Sequence, residues 1–272
     1  MSSITTQGHV SRLTQGVEWE VAFLKVPHLE QLALLPHPRL RRIKLSISGR
    51  RVLNLTSLLN ALESYKDLTW LTLDLDNWSR WIPFPRIGRE PVVLRNLEVF
   101  FFSCPVAHAV SAFHLKLPKL RHFRFRCDTS PEVMSLEDVI SPYSKTIRSI
   151  AITTNEGRPL DREFPPWTDY PMLEELALDS ALVIEFHPLP RTHPLRRLHA
   201  PQWRKENIEN WLESDNLERV QLLNASWNYG GSLMNANRAS EMEPISKHDM
   251  DMLLARAKER GIQVDIGGDW QS

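Results

Sequence analysis

The sequence predicts an α/β solenoid in which short parallel strands alternate with a layer of mixed helical and extended crossovers. Two observations support this fold class. An apolar residue followed by others three and five positions later recurs along the chain, and successive copies begin 22 to 29 residues apart. Side chains at offsets three and five share one face of a strand, so each copy predicts a strand with one buried face. Connections of this length are too long for hairpins and favour parallel strands stacked repeat on repeat.

Eight copies of the pattern share the same phase. Because every copy buries the same strand positions, we expect one parallel sheet with its strands in sequence order. The copies begin at Leu40, Leu68, Leu97, Leu120, Ile147, Leu173, Leu195 and Leu217.

The segments between the strands predict an uneven outer layer. Apolar residues recur at helical spacing in residues 57–62, 107–113 and 203–214, which predicts three short helices. Residues 77–91 and 181–194 are rich in proline, which disfavours regular helix, and we expect extended or turn-like crossovers there.

The two ends of the chain predict caps for the repeat array. Ser246, with Asp249 three residues later, is typical of a helix N-terminus, and Gly261 is a helix stop signal. Alternating apolar residues at 262–266 predict a last strand. The predicted segments are an N-terminal cap at 1–39, the repeat array at 40–224, a loop at 225–245 and a C-terminal helix–strand cap at 246–272.

Several copies resemble the leucine-rich repeat, whose strand segment reads LxxLxL and whose length is commonly 20–29 residues. The clearest are LRRIKLSI, LTWLTLDL, LRHFRFRC and LEELALDS, and the resemblance extends over roughly Leu40 to Asn224. The family usually places Asn or Cys at offset eight, and most copies here have another residue there, such as Ser48 and Asp76. The resemblance implies an irregular leucine-rich-repeat horseshoe.

Irregular repeat lengths, abundant Trp and Pro, and the phrases PMLEELAL and LPKLRHFRF are similar to degenerate fungal F-box-associated leucine-rich-repeat proteins. That resemblance implies the substrate-recognition part of an SCF-type ubiquitin-ligase receptor. In such receptors an F-box binds a Skp-type adaptor, and here that adaptor is expected as a partner only if the full gene product has an F-box. Residues 1–39 carry no F-box helices recognisable in the sequence.

Composition bears on the class of partner and on the compartment. The 33 Lys and Arg residues balance 33 Asp and Glu residues, so overall charge does not attract the chain to nucleic acid or to an acidic membrane. The sequence has no apolar run of about 18 residues and no signal peptide, which predicts an intracellular protein, cytoplasmic or nuclear, with no membrane partner. We therefore expect a protein partner.

The strand positions between the buried ones predict an outward lattice of side chains. Neighbouring strands lie about 4.8 Å apart, so equivalent positions form rows across the sheet. In the middle of this lattice, apolar and aromatic groups lie beside basic ones, a composition typical of interaction hot spots. The predicted partner-binding residues are Trp70, Val99, Phe101, His122, Arg124 and Arg126.

Two alternatives to this interpretation stay open at the level of sequence. Loops could cover Trp70 and Phe101 while the arginines pair with Asp74 or Asp128. The same surface, from Trp70 to Arg126, could instead form the pocket of a small-molecule receptor or enzyme, for which a deep cavity would be needed.

Metal binding and catalysis are not predicted. His187, His193 and His199 recur at six-residue intervals that match no short ligand pair, and Cys104 and Cys127 should be buried, reduced strand neighbours. No nucleophile motif or glycine-rich phosphate loop is present. We therefore expect a non-catalytic protein without a cofactor.

A cluster of basic residues and a cluster of aromatic residues are expected to have structural rather than binding roles. A basic N-terminal edge is expected to be a solvated charged face, and aromatic residues on a crossover are expected to pack on the core. The basic edge is Arg39, Arg41, Arg42, Lys44, Arg50 and Arg51, and the crossover aromatics are Trp78, Trp81 and Phe84.

Overall fold

The computed structural model describes residues 12–13, 16–21, 41–46, 62–74, 91–104, 115–127, 140–154, 162–178, 184–200, 205–222 and 246–266. The chain divides into two compact units, Met1–Cys127 and Asp128–Ser272. Both units are built mainly from parallel strands, and the protein is of the α/β class. Within the described residues, no helix has both the length and the apolar composition needed to cross a bilayer.

Unit 1 contains a parallel array of five strands. Its strands are β1 (Arg12–Leu13), β2 (Gly16–Val21), β3 (Arg42–Ser46), β4 (Trp70–Asp74), β5 (Val92–Val93), β6 (Val99–Cys104), β7 (Leu115–Lys116) and β8 (His122–Cys127). Strands β2, β3, β4, β6 and β8 pair in that order, all parallel, and β1 pairs antiparallel with β2. The two-residue strands β5 and β7 pair in parallel in the crossover segments.

Unit 2 repeats this arrangement. Its strands are β9 (Ser149–Thr154), β10 (Arg162–Glu163), β11 (Glu175–Leu178), β12 (Ile184–Glu185), β13 (Arg197–Ala200), β14 (Arg219–Leu222) and β15 (Gln263–Ile266), and its helices are α1 (Lys205–Trp211) and α2 (Lys247–Glu259). Strands β9, β11, β13, β14 and β15 pair in that order in parallel, and β10 pairs with β12. Short 3-10 turns occupy Ser141–Tyr143 and Trp167–Asp169.

All eight predicted strands are present, and within each unit they are parallel and in sequence order. The predicted burial parity is also confirmed, because the residues at offsets three and five are buried. Leu71 and Leu73 are 0% and 1% exposed, and Leu176 and Leu178 are 0% and 2% exposed. The two-residue alternation of apolar side chains in the sequence therefore identifies the core side of the eight predicted repeat strands.

A recurring set of backbone hydrogen bonds holds each repeat in the same register as the one before it. The carbonyl of Arg41 accepts from the N–H groups of both Thr69 and Trp70, and the carbonyl of Thr69 accepts from Glu98 and Val99 in the same way. The pattern recurs through both units and includes the last strand, where Gln263 N–H donates to Glu218. Equivalent residues of successive strands consequently lie side by side.

In four repeats the buried part begins earlier than the sequence pattern indicated. The N–H of Leu97 donates to the carbonyl of Leu94, and the N–H of Leu120 donates to that of Leu117, which closes a tight turn before each of these two strands. Leu94 and Leu117, three positions before the strand pattern, are buried, and Tyr65 and Tyr170 share that position and its burial. These four repeats are therefore apolar at offsets minus three, zero, three and five.

Aromatic residues fill the core of both units. In unit 1, Phe100 and Phe102 contact Phe123 and Phe125 across β6 and β8, with ring centroids 5.9 Å apart in both pairs. In unit 2, the crossover side packs as an aromatic cluster with ring centroids 4.9–5.9 Å apart. Its members are Phe164, Trp167, Tyr170, Phe186, His193 and Trp211.

The predicted C-terminal helix and strand are present as α2 and β15, although Ile266 at the end of β15 is exposed. The Ser246 hydroxyl accepts from the N–H of Asp249 at the start of α2, and Gly261 follows the helix with a φ of 71°, a backbone conformation that favours glycine. Helix α1 lies within predicted helix 203–214 but is shorter. The predicted helix at 107–113, the crossover aromatics at 78–84 and the loop at 225–245 lie outside the described residues.

Candidate interaction surface

Strand register in unit 1 brings the six predicted surface residues together. Val99 lies between Trp70 and His122, and Phe101 lies beside Arg124. Ser103 separates Asp74 from Arg126 in the next row. We call this set, Trp70, Val99, Phe101, His122, Arg124 and Arg126, the aromatic–arginine face. Its role in binding stays a prediction.

Trp70 and Phe101 form the apolar centre of the face. Their rings meet edge to face with centroids 5.1 Å apart, and both side chains are half-buried. The indole N–H of Trp70 donates to the Thr72 hydroxyl at 3.1 Å. A T-shaped contact together with a satisfied indole N–H holds this pair in one arrangement. A fixed aromatic pair loses little conformational entropy when a partner packs on it.

Arg42 contributes to this centre in a way the sequence interpretation missed. Its guanidinium carbon lies 5.0 Å from the centroid of the Trp70 ring, a cation–π contact. The sequence predicted that Arg42 belongs to a solvated basic edge. The available signal was its register position, since Arg42 precedes Trp70 in the same row of the lattice.

The basic members of the face point into solvent. His122, Arg124 and Arg126 on β8 are all exposed, whereas Asp74 on β4 is half-buried. On the other side of Trp70, Arg42 and Lys44 are exposed, and their register partners on β2 are the acidic residues Glu18 and Glu20. Arg124 and Arg126 therefore give the β8 side of the face two exposed guanidinium groups.

The outward rows of unit 2 contain ion pairs between adjacent strands. Arg197 pairs with Glu175 at 3.0 Å, and Arg219 pairs with Asp265 at 2.7 Å, in each case between adjacent strands. The pKa of the Asp265 carboxyl is lowered by its hydrogen bonds from Gln263 and Arg219. Acidic and basic groups thus neutralise each other along this part of unit 2.

His199 lies among these ion pairs on the outward side of β13. Burial lowers the pKa of its imidazole, and the positive charge of Arg219 lowers it further, while Glu175 and Asp265 act in the opposite direction. The net effect favours the neutral ring. The outward rows are also less solvated than expected, because Ala151 and Gln221 are buried at 7% and 9% exposure.

The histidines considered for metal binding occupy separate environments. His193 is buried, with its Nε2 3.1 Å from the Tyr170 carbonyl and its Nδ1 accepting from the Leu195 N–H, while His199 faces outward. The carbonyl of His187 accepts a hydrogen bond from the Trp167 indole at 2.7 Å. In the part of the chain that the structure describes, no three His, Cys, Asp or Glu side chains are grouped to hold a metal ion.

Cys104 and Cys127 are register partners on β6 and β8, which confirms that they are strand neighbours. Their side chains lie outside what the structure describes, so their burial and redox state stay predictions.

Two asparagines between repeats were not singled out from the sequence. Asn96 Nδ2 donates to the carbonyl of Lys66 at 2.9 Å, and Asn216 Nδ2 donates to that of His193 at 3.0 Å. Each stands one residue before a strand pattern and bonds the same position of the preceding repeat. The shared phrase, Asn followed by Leu and Glu, was the available signal.

No protein-family model matches the sequence, and a search of curated proteins returns no match to it.

Proposed function

We propose that this chain is a non-catalytic protein-binding module and that the aromatic–arginine face is its recognition surface. The observation that supports this most directly is the contact of Trp70 with Phe101 beside the exposed Arg124 and Arg126. Aromatic residues and arginine are the side chains most enriched at binding hot spots. Around the aromatic pair, the exposed basic groups supply the polar rim that surrounds such a centre.

The architecture we propose is an irregular leucine-rich-repeat solenoid of the horseshoe type. Parallel strands in sequence order, one per repeat, and a repeated inter-strand hydrogen-bond pattern support it. In a stacked array of this kind the outward strand positions of many repeats form one continuous surface, which suits an extended protein partner.

The cellular role we propose follows from the sequence resemblance alone. In an intracellular F-box-type receptor, the face would select the substrate of an SCF-type ubiquitin ligase, and an F-box elsewhere in the gene product would bind a Skp-type adaptor. Purification of the tagged full-length gene product with mass spectrometry tests this role, with recovery of a Skp-type adaptor as the expected result. Recovery of other partners without an adaptor would contradict the ligase role and leave the binding role standing.

Surface variants test whether binding uses this face. The double variant Arg124→Ala, Arg126→Ala should reduce recovery of the partner by about tenfold or more, because hot-spot arginines contribute at least about 2 kcal/mol when truncated. Arg121→Ala is the matched control, since Arg121 is exposed and precedes β8 outside the outward rows. Undiminished recovery with the double variant, at an unchanged melting temperature, would place the recognition surface elsewhere.

A further inference from the structure

The spacing of the two arginines on β8 matches the repeat of an extended peptide. Arg124 and Arg126 are two residues apart on one strand and both are exposed. Residues at that separation point to the same side of the strand and lie about 7 Å apart along it. An extended chain with carboxylates at alternate positions has the same repeat, so two acidic side chains of such a segment can meet the two guanidinium groups together.

The guanidinium groups of Arg124 and Arg126 are suited to bind carboxylates. An arginine has five N–H donors in a planar fork and binds a carboxylate through two parallel hydrogen bonds. An exposed guanidinium can therefore accept a carboxylate from solvent while it keeps a contact within its own chain. Phe101 adjoins Arg124, and its half-buried ring offers an apolar contact next to the charged one.

The aromatic residues of the face distinguish an acidic protein segment from nucleic acid, the other common anionic partner. Proteins that bind single strands stack bases on open aromatic faces. Here the Trp70 ring has the Arg42 guanidinium over it and the edge-to-face contact with Phe101 beside it. Because the Trp70 ring is not open for a base to stack on, the face suits the carboxylates of a peptide better than a single-stranded nucleic acid.

From these observations we infer that the aromatic–arginine face binds an acidic, extended segment of a partner protein. Carboxylates at alternate positions of that segment contact Arg124 and Arg126, and an adjacent apolar side chain packs on Phe101. This inference depends on the proposed binding function and specifies its ligand. In unit 2, Arg197 and Arg219 lie side by side on two neighbouring strands, about 4.8 Å apart, and lack the two-residue spacing along one strand that this ligand needs.

Selection from a random peptide library on the immobilised full chain tests the inference. The expected result is enrichment of peptides with Asp or Glu at alternate positions next to an apolar residue. Fluorescence anisotropy with such a selected, labelled peptide should then show binding that is weaker by about tenfold or more for the double variant Arg124→Ala, Arg126→Ala. Binding should also weaken at high salt, because exposed ion pairs are screened.

Controls locate the site and check the fold. Arg121→Ala and Arg197→Ala should bind the selected peptide as the wild type does, and the thermal melt of the double variant should match that of the wild type. A peptide that loses affinity with Arg197→Ala but not with the double variant would overturn the inference by placing the site in unit 2.

The remaining outcomes distinguish this inference from the proposed function. Selected peptides without acidic residues that still depend on Arg124 would overturn the acidic ligand and retain the protein-binding face. Absence of any selected peptide would also overturn it, while the recovery experiment with the double variant decides the proposed function separately. Tighter binding of a single-stranded oligothymidylate than of any peptide, lost in the double variant, would overturn both in favour of nucleic acid.

Discussion

Substitution of two adjacent phenylalanines by alanine should destabilise the protein unequally, because Phe101 and Phe102 lie on opposite faces of β6. Phe102 is 2% exposed and contacts the rings of Phe100 and Phe125 at 5.8 and 5.9 Å. A buried aromatic side chain removes at least about 150 Å² from water, which at about 25 cal/mol per Å² is about 4 kcal/mol. Phe102→Ala should therefore cost about 3 to 5 kcal/mol.

Phe101 has fewer contacts to lose. It is half-buried, and among the described residues the one aromatic ring packed against it is that of Trp70. Half the buried area corresponds to about 2 kcal/mol, and solvent can fill the space that the ring leaves, so no cavity remains. We expect Phe101→Ala to cost about 2 kcal/mol, which is why the binding tests use arginine variants.

Urea unfolding of the full chain, followed by circular dichroism, measures both costs. A chain with two compact units need not unfold in one step, so the comparison uses the transition that Phe102→Ala shifts. Phe102→Leu, which keeps most of the buried volume, should cost less than about 1.5 kcal/mol and serves as the control. If Phe101→Ala is as costly as Phe102→Ala, the chain covers the outward side of β6, and the reasoning behind the aromatic–arginine face is wrong.

Three other predictions concern unit 2 and the contacts between repeats. Asn216→Ala should lower the free energy of urea unfolding by about 1 kcal/mol, and by more than Asn96→Ala does. The hydrogen bond from Asn216 to the His193 carbonyl is part-buried, whereas that from Asn96 to the Lys66 carbonyl is exposed. Equal costs would contradict this. Burial lowers the pKa of His193 in the folded protein, so the imidazole of the unfolded chain is protonated first as pH falls, and stability should drop below about pH 6.5. The loss of unfolding free energy between about pH 7.5 and about pH 5.5 should be smaller for His193→Gln than for the wild type. An unchanged loss would refute the assignment. Glu213→Gln should increase amide hydrogen exchange in α2, because Glu213 pairs with Arg256 and Arg260 of the C-terminal cap; unaltered exchange would show that apolar packing alone holds the helix.

Part of the outward surface was predictable and part was not. Parity along each strand identified Phe101 and Arg124 as outward neighbours, because alternation is a local property of extended backbone. The position of Arg42 over Trp70 could not be read in the same way. Register makes these residues neighbours, but whether a long side chain turns toward a ring or toward solvent depends on contacts that only the folded chain supplies.

Electrostatic pairing follows the same division. Glu213 pairs with Arg191 at 2.9 Å and with Arg256 and Arg260 of the cap, residues 22 to 47 positions away. Nothing in the spacing of a single charged residue specifies a partner at such a distance. The pairs exist because the crossovers fold back and bring the end of one repeat against the next.

The sequence by itself determined the fold class, the positions and buried faces of the eight repeat strands, and the end of the C-terminal helix. These features depend on short-range spacing, which steric limits on the backbone convert directly into local structure. Only the tertiary structure decided which charges pair, that Tyr65, Leu94, Leu117 and Tyr170 are buried before their strands, and that Trp70 is held between Arg42 and Phe101. Those features require segments separated by twenty or more residues to meet, and the free energy of packing, rather than any local pattern, selects the contacts they make.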